Sequence, residues 1–316
     1  MKTTIPDALK ADIPATKLGK LFAATPVIMT VIATMLAGLA SSEMTRAQYD
    51  RSLAAQQQSK AGDQWSFFQA KKLRSALQRN TLDMVESTTE VHPLAIDDLA
   101  AWLVKTPAET VFASAAGKQA LAALQTGELP PFAPAPAVDA GVKAALDAMA
   151  AAKSDSEVLA LLAPVSEKTL ADALQSAEDH ALAADAAIAP LSKAIDAFEK
   201  ELGHQKTLQP VPGLITLSRD FTSARLRFNS LRYDSEARLN QAVANIYELQ
   251  VRKSNVSAER HHNRSQRFFF GMLAAQMGVI IATFAMAAKQ RNLLWSLAAS
   301  AGVIAIAFAL YVYLYV

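Results

Sequence analysis

Cysteine is absent from the 316 residues, which excludes disulfide bonds, iron–sulfur clusters and thiol chemistry. The net charge is only +2, so no excess of positive charge indicates a nucleic-acid partner. Aromatic residues make up 7% of the chain, and runs of strand-favouring Val, Ile and Thr hardly occur outside three apolar stretches. Alanine is heavily used instead, which favours helices that pack through small contacts. We therefore predict an all-α fold.

Three apolar stretches are long enough to cross a bilayer, which takes about 20 apolar residues in a helix. They predict transmembrane helices over residues 21–41, 268–288 and 293–316, and hence the lipid bilayer as one partner. The first could instead be a cleaved signal peptide, because Gly38-Leu39-Ala40 resembles a small-residue cleavage site. Small residues at every fourth position favour an anchor that packs closely against other helices.

The residues expected to pack helices together in the membrane are Gly38, Ala274, Gln276, Gly278 and Ala282. The alanines and glycines allow close approach of two helices. Gln276 is the one strongly polar residue well inside a span, and an unpartnered amide in hydrocarbon is costly. The contact is either within the chain or the seam of an oligomer.

Two long helical arms are predicted at residues 42–90 and 216–267, where proline is absent and only Gly62 interrupts. In the first arm, positions 44, 47, 51, 54, 58, 61, 65 and 68 step by three and four, as in the seam of a coiled coil. Both arms reach the same membrane face, so we expect them to form an antiparallel, coiled-coil-like helical hairpin.

Counting outward from the membrane predicts which residues of the hairpin meet. Trp65 is 24 residues past Ser41, and Val243 is 24 residues before Arg267. We therefore expect the hairpin to pack through Trp65, Phe68, Leu239, Ala242 and Ile246. A recognition role for the aromatic pair is the alternative, but aromatic residues at seam spacing usually pack.

Residues 91–215 are predicted to form an Ala-rich helical subdomain that caps the far end of the hairpin. Thr106–Glu109 and Ser154–Glu157 have the pattern of capping boxes at helix starts. A Pro-rich linker near residues 129–137 should be extended, because its prolines cannot continue a helix.

A cationic and aromatic stretch precedes the second apolar run, and it predicts an anchor at the membrane interface. Its members are Arg260, His261, His262, Arg264 and Arg267, followed by three phenylalanines. A pH-responsive contact through the two histidines is an alternative. Metal binding is disfavoured, because neighbouring residues of a helix point about 100° apart and no third ligand is suitably spaced.

The orientation in the membrane follows from short flanking segments. Residues 1–20 form a basic leader with Lys10, Lys17 and Lys20, whereas the charges after the first span are balanced. This favours a cytoplasmic N-terminus and places the large domain on the other side. The arginines at residues 260–267 oppose that orientation.

The stretch Asp63-Gln64-Trp65 with Gln69-Ala70-Lys71, and the His- and Arg-rich stretch that leads into two closing spans, resemble a bacterial membrane family known as domain of unknown function 4337. The likeness covers roughly 25–90 and 216–316. It implies three spans and a bacterial inner-membrane protein, and it implies no activity.

No phosphate-binding loop, zinc-protease motif or nucleophile elbow occurs in the sequence. We therefore expect a membrane-anchored helical scaffold or interaction protein that is not an enzyme and needs no cofactor. We expect it to bind either a different protein or a second copy of itself, the second copy through the membrane helices. The alternative is a subunit of an oligomeric channel, stator-like or transport complex.

Overall fold

A computed structural model describes residues 17–131, 134–209, 211–287 and 291–315. Most of the predicted basic leader, residues 288–290 and Val316 lie outside the described residues. The described part holds nine helices and no strand, which confirms the predicted all-α class. They are α1 (Lys17–Thr88), α2 (Ile96–Leu103), α3 (Glu109–Ala113), α4 (Ala115–Thr126), α5 (Ala140–Ala150), α6 (Asp155–Leu162), α7 (Glu167–Leu208), α8 (Pro212–Ala287) and α9 (Arg291–Tyr315).

Two of these helices are very long: α1 has 72 residues and α8 has 76. The scarcity of proline inside these helices explains their length. Helix α1 holds only Pro26 in its interior, and α8 begins at Pro212, where a helix needs no backbone N–H. Three helices, α1, α8 and α9, each contain a stretch long and apolar enough to cross a membrane. The protein is thus a membrane protein by the length and composition of its helices.

The chain divides into two compact units. Unit 1 takes in the residues up to Ala55 and those from Ser254 onward, and unit 2 takes in Gln56–Lys253. Each unit therefore contains a part of α1 and a part of α8.

Unit 1 is built on small residues. Its core brings together parts of α1, α8 and α9, with Ala33, Ala275 and Ala305 among the buried residues. Helix α9 runs back along α8, because a Cβ added at Gly278 would contact Ala301 and one added at Gly271 would contact Phe308. Gly278 and Gly302 also lie against Met29 of α1. Small side chains thus let the three helices approach closely.

Unit 2 is built on large apolar residues and contains three helices side by side. The α1 and α8 segments run antiparallel, since Gln57 pairs with Gln250 and Glu86 with Arg227. This arrangement confirms the predicted helical hairpin. Helix α7 runs antiparallel to α8 as well, with its polar contacts proceeding from Glu178–Tyr247 through Ser192–Arg232 to Glu199–Arg225.

Two apolar clusters complete unit 2. One joins α2, α4, the second half of α7 and the start of α8, and it includes Phe198, Phe221 and Phe228. The other joins α5, α6 and the start of α7 to Ile246 and Leu249 of α8. The sequence predicts a cap at the far end of the hairpin. In the structure the same residues also extend along α8 as far as Lys253, because α7 folds back beside α8 and brings α5 and α6 with it.

Candidate functional site

The contact between α1 and α8 in unit 2 follows a strict heptad. Ala61, Ser75 and Leu82 are buried at intervals of seven or fourteen residues, and half-buried Phe68 fills the remaining step. Ser75 Oγ donates to the carbonyl oxygen of Ser230 at 2.9 Å, so a polar residue is satisfied inside the seam.

The other half of the seam is polar, and here the sequence prediction is wrong at one set of positions. Arg51 and Gln58 are exposed, while Asp50 and Gln57 are half-buried. The amide of Gln57 donates to Gln250 Oε1 at 3.3 Å. The spacing by three and four residues selects the wrong neighbour at these positions, because both neighbours are polar and hydrophobicity does not distinguish them.

The five residues predicted to pack the hairpin have different surroundings. Trp65 is half-buried, and its indole N–H donates to Glu248 at 2.6 Å. Phe68 meets the Trp65 ring edge to face, with 5.3 Å between ring centres. Leu239 is half-buried and Ala242 is exposed, whereas buried Ile246 packs against α5 and α6. The prediction pairs Trp65 with the part of α8 around Val243. In the structure Ala61, not Trp65, packs with Val243 and Tyr247.

Charged groups from α1 and α8 pair in the middle of unit 2. Lys71 bonds Glu236, and Lys72 Nζ lies 2.5 Å from Asp234 Oδ1. Arg238 also bonds Asp234 at 2.8 Å. The hydrogen bond from Lys72, assisted by both positive charges, lowers the pKa of Asp234. The two lysine pairs join α1 to α8, whereas the Arg238–Asp234 pair lies within α8.

Asp185 of α7 lies at the edge of this charged region. Partial loss of hydration, with a smaller contribution from the charge of Glu236, raises the pKa of its carboxyl group. Nearby Arg232 donates to Ser192 Oγ at 2.7 Å and lies over the Tyr233 ring at 4.4 Å. Loss of hydration thus outweighs the charges of Lys71 and Arg232, which act to lower the pKa of Asp185.

Tyr247 connects α8 to α7 inside unit 2. Its hydroxyl donates to Glu178 Oε1 at 2.8 Å, and its side chain is 6% exposed. Loss of hydration, the hydrogen bond to Glu178 and the charge of Glu178 together raise the pKa of Tyr247 to about 12. The phenol is therefore held protonated. Neither Tyr247 nor Glu178 belongs to a motif that can be read from the sequence.

Two successive cations of α8 hold the short helix α6. Arg252 pairs with Asp155 at the first residue of α6. Lys253 Nζ donates to the carbonyl oxygens of Leu162, at 3.2 Å, and Val165, at 2.7 Å. A cation that binds the free carbonyl groups at a helix C-terminus also complements the helix dipole. This arrangement ties α6 to α8 at both ends.

The predicted interface anchor lies in unit 1, where α1 and α8 meet beside the apolar runs. His261 Nδ1 lies 2.5 Å from Glu43 Oε2, and Ser265 Oγ donates to the carbonyl oxygen of Ala40 at 2.7 Å. His262 Nε2 lies 2.9 Å from the amide nitrogen of Gln266. The two histidines thus have different partners, and no three potential metal ligands converge anywhere in the described residues.

The arginines of the predicted anchor differ in exposure: Arg260 is exposed, while Arg264 and Arg267 are half-buried. Buried Phe268 follows them and belongs to the core of unit 1, and Phe269 and Phe270 are 48% and 61% exposed. Cations and aromatic rings therefore adjoin one another along α8, and anchoring at a membrane interface stays a prediction.

The residues predicted to pack in the membrane separate into two groups. Gly278 and Ala282 are buried against neighbouring helices of unit 1, and Ala274 is half-buried. Gly38 is exposed, with no atom within 4 Å of an added Cβ, and Gln276 is exposed as well. Packing through Gly38 and Gln276 therefore stays a prediction about contacts beyond this chain.

Residues 20–106 match the model of the family described as Domain of unknown function (DUF4337), and this stretch covers nearly all of α1 and the whole of α2. The match confirms the family resemblance over that stretch. No curated protein and no solved structure matches the chain.

Proposed function

We propose that this protein is a membrane-anchored helical scaffold without catalytic activity, which acts by self-association. The observation that carries the proposal is a row of exposed apolar side chains on α1, on the side away from its seam with α8. Leu73, Leu77 and Met84 are 62%, 54% and 65% exposed. Large apolar side chains in such a row mark an interaction surface more often than isolated ones do.

The position of this row follows from helix geometry. Leu73 and Leu77 each lie two residues from Ser75, and Met84 lies two residues from Leu82. Two residues turn a helix by about 200°, so the row faces away from the buried seam. The seam itself is fully used, with Ser75 bonded to Ser230 and Lys71 to Glu236. A second helix is therefore free to bind on the opposite side of α1.

A second copy of the chain is the proposed occupant of this row. Copies inserted into one bilayer in the same orientation present the row in the same direction. A two-fold axis then brings each residue against its own counterpart, so apolar side chains meet apolar side chains. Leu77 and Met84 are also one heptad apart, the repeat that a helix pair requires.

A bacterial inner membrane, with unit 2 in the periplasm, is the proposed location. The support is the positive charge of Lys10, Lys17 and Lys20 before the first span and of Lys289 and Arg291 between the last two. Both groups would lie on the cytoplasmic side under the positive-inside rule. Labelling single cysteines in 91–215 with a membrane-impermeant reagent on intact cells tests this, and protection of those cysteines would contradict it.

Oxidative cross-linking tests the scaffold proposal, and the absence of native cysteine makes single-cysteine variants simple to interpret. Leu77→Cys should give a disulfide-linked dimer in membranes after mild oxidation. Asp83→Cys is the matched control, because Asp83 is also exposed and lies about 120° from Leu77 around the axis of α1. Equal cross-linking of both variants, or none of either together with a monomer on blue-native gels, would contradict the proposal.

A subunit of an oligomeric channel or transport complex is the second candidate, and exposed Gln276 favours it. Its amide forms no hydrogen bond with any described residue, although it lies within an apolar run of α8. An amide in hydrocarbon gains from a partner on another molecule or from water in a pore.

Ion flux into liposomes that contain the purified protein tests this candidate. Flux that is lost in Gln276→Leu and kept in Met277→Leu would support it, since Met277 is the adjacent exposed residue. A wild-type protein that forms dimers but conducts no ions would leave only the scaffold. The two candidates are therefore separable.

A further inference from the structure

A groove in unit 1 is lined by apolar residues along most of its length and by polar residues at one end. It lies between α1 and α8 and has a volume of about 610 Å³. Ala37 and Met44 line it from α1, and Phe269 and Met272 line it from α8. At the polar end are His262 and Gln266. Its volume falls within the range of about 300–1,000 Å³ that is usual for small-molecule sites.

The groove exists because small residues of α1 face large ones of α8. Ala37 leaves space between the helices, while exposed Phe269 and Phe270 form a wall on the other side. Its apolar residues belong to the stretches of α1 and α8 that are long enough to cross a membrane. In a bilayer the groove is therefore open to acyl chains rather than to water.

The polar end has unused hydrogen-bonding capacity. His262 Nε2 contacts the Gln266 amide, while His262 Nδ1 is buried and has no hydrogen-bond partner among the described residues. Ser265, which also lines the groove, is already bonded to the Ala40 carbonyl oxygen. Because Nδ1 is buried, a ligand oxygen would reach it only after the imidazole turns toward the groove, and the bond would then satisfy a polar atom that is costly to leave unpaired.

The charge around this end is positive. Residues 259–267 of α8 carry three arginines and one glutamate, with both histidines counted as neutral. On α1, Glu43 is engaged by His261 at 2.5 Å and by Arg46 at 3.6 Å. Glu43 thus already has partners, and the net charge of +2 over residues 259–267 attracts anions at the membrane surface.

We propose that the groove binds an anionic phospholipid, with one acyl chain between Ala37 and Phe269 and the phosphate at the His262 end. The apolar length matches a hydrocarbon chain, and the unpartnered imidazole nitrogen and the arginine excess match a phosphodiester. Arginine recognises phosphate through bidentate hydrogen bonds. A zwitterionic lipid offers the same chain but cancels the net charge, so it binds more weakly.

Native mass spectrometry of the purified full chain in detergent tests the proposal. The probes are phosphatidylglycerol and phosphatidylcholine with identical acyl chains, titrated separately and in competition. We expect one retained phosphatidylglycerol molecule per chain and an apparent affinity at least about tenfold above that for phosphatidylcholine, which corresponds to about 1.4 kcal/mol. Equal retention of the two lipids would overturn the proposal.

Two variants locate the site. Ala37→Phe fills the groove and should abolish the retained lipid. Met35→Phe is its control, since Met35 is 65% exposed on the same helix and does not line the groove, and it should keep the lipid. His262→Ala should keep acyl-chain binding but reduce the preference for phosphatidylglycerol several-fold. Circular dichroism checks that each variant is folded.

The remaining outcomes are also decisive. If Ala37→Phe is unfolded, the His262→Ala competition alone decides, because an unchanged lipid preference in that variant would overturn the proposal. Retention of lipid by a folded Ala37→Phe would overturn it too. A dimer that excludes lipid from the wild-type protein would show that a second copy covers the groove instead.

Discussion

The two units of this protein have opposite arrangements of large and small side chains. In unit 1 the buried positions hold residues such as Ala275, Ala282 and Ala298, each 0% exposed. Large apolar residues lie outside, with Met277 62% and Phe284 66% exposed. In unit 2 the largest buried residues are phenylalanines and leucines, whereas the exposed positions are mostly polar, charged or alanine.

The difference shows which solvent each unit is suited to. Water drives large apolar residues inward, since burial of a large side chain is worth about 1.5–3 kcal/mol. Lipid gives no such drive, because acyl chains are as apolar as leucine. Helices in lipid associate instead through close van der Waals contact between small residues. Substitutions that exchange large and small residues should therefore act in opposite directions in the two units.

The largest expected effect is the loss of a large buried residue in unit 2. Phe198 is 0% exposed, and it contacts the Phe112 ring at 6.0 Å between centres. Phe198→Ala should reduce the free energy of unfolding by about 3–5 kcal/mol, because it leaves a cavity in the core. Urea denaturation in detergent, followed by circular dichroism, measures this.

Leu182→Ala is the control for Phe198→Ala, since Leu182 is 67% exposed on the same helix. It should change the free energy of unfolding by less than about 0.5 kcal/mol. Similar losses in the two variants would mean that unit 2 has no apolar core of the kind described.

The reverse substitution should be harmful in unit 1. A Cβ at Gly278 would overlap Met29 Cε and contact Ala301. Gly278→Leu should therefore cost about 1–3 kcal/mol through overpacking. Unfolding of the detergent-solubilised protein by increasing fractions of SDS measures this cost.

Gly38→Leu is matched to Gly278→Leu, because Gly38 is exposed and has no atom within 4 Å of an added Cβ. Both variants gain about the same helix propensity, so their difference reports packing alone. If Gly38→Leu is the more harmful of the two, the close contact at Gly278 does not hold the helices together. A dimer lost only in Gly38→Leu would place Gly38 at an intermolecular contact.

The sequence predicts where the helices of this protein lie along the chain much better than it predicts which residues of each helix contact another helix. The lack of proline and glycine predicts both long arms, and length alone predicts the three spans. The register is close, because both arms are counted from the same membrane face. It fails in detail at Gln58, since polar Gln57 is the residue that turns inward toward Gln250. In a seam of amides and charges, hydrophobicity does not identify the buried face.

The position of α7 beside α8 is not predictable from the sequence by periodicity. An alanine-rich helix has several similar faces, so its pattern does not say which face is covered. What fixes α7 is a set of contacts with distant residues, including Glu178–Tyr247 and Ser192–Arg232. The groove beside Ala37 is equally hidden, because it depends on which large residues of α8 face that alanine.

A smaller effect should distinguish the polar contacts of unit 2 from its apolar core. Tyr247→Phe removes the hydrogen bond to Glu178 and should cost about 1–2 kcal/mol at pH 8. The folded pKa of Tyr247, about 12, lies above its ordinary value of 10.0. The stabilisation is therefore fully present below about pH 10 and is lost as the pH rises toward 12.

The gap in unfolding free energy between the wild-type protein and Tyr247→Phe should thus narrow between pH 8 and pH 11. Urea denaturation at several pH values measures it, and other titrating groups cancel in the difference. Tyr49→Phe, at a residue that is 67% exposed, should show no such narrowing. A gap that stays constant or widens would contradict the described environment of Tyr247.

The smallest expected effect concerns Asp185, where partial loss of hydration opposes ionisation of the carboxyl group. Its folded pKa is raised, so its contribution to stability is fully present below the unfolded pKa and is lost as the pH rises through the folded pKa. At pH 7 the ionised carboxylate is therefore mildly destabilising, and Asp185→Asn should raise the free energy of unfolding by a few tenths of a kcal/mol, roughly the usual size for a surface charge. The gain should disappear near pH 3.

Asp172→Asn, at an exposed residue of the same helix, is the control and should give no gain at pH 7. If Asp185→Asn instead destabilises the protein at pH 7, the Asp185 carboxylate stabilises the Lys71–Glu236 pair. The exposed charged side chains of unit 2 would then be arranged more precisely than its contrast with unit 1 requires.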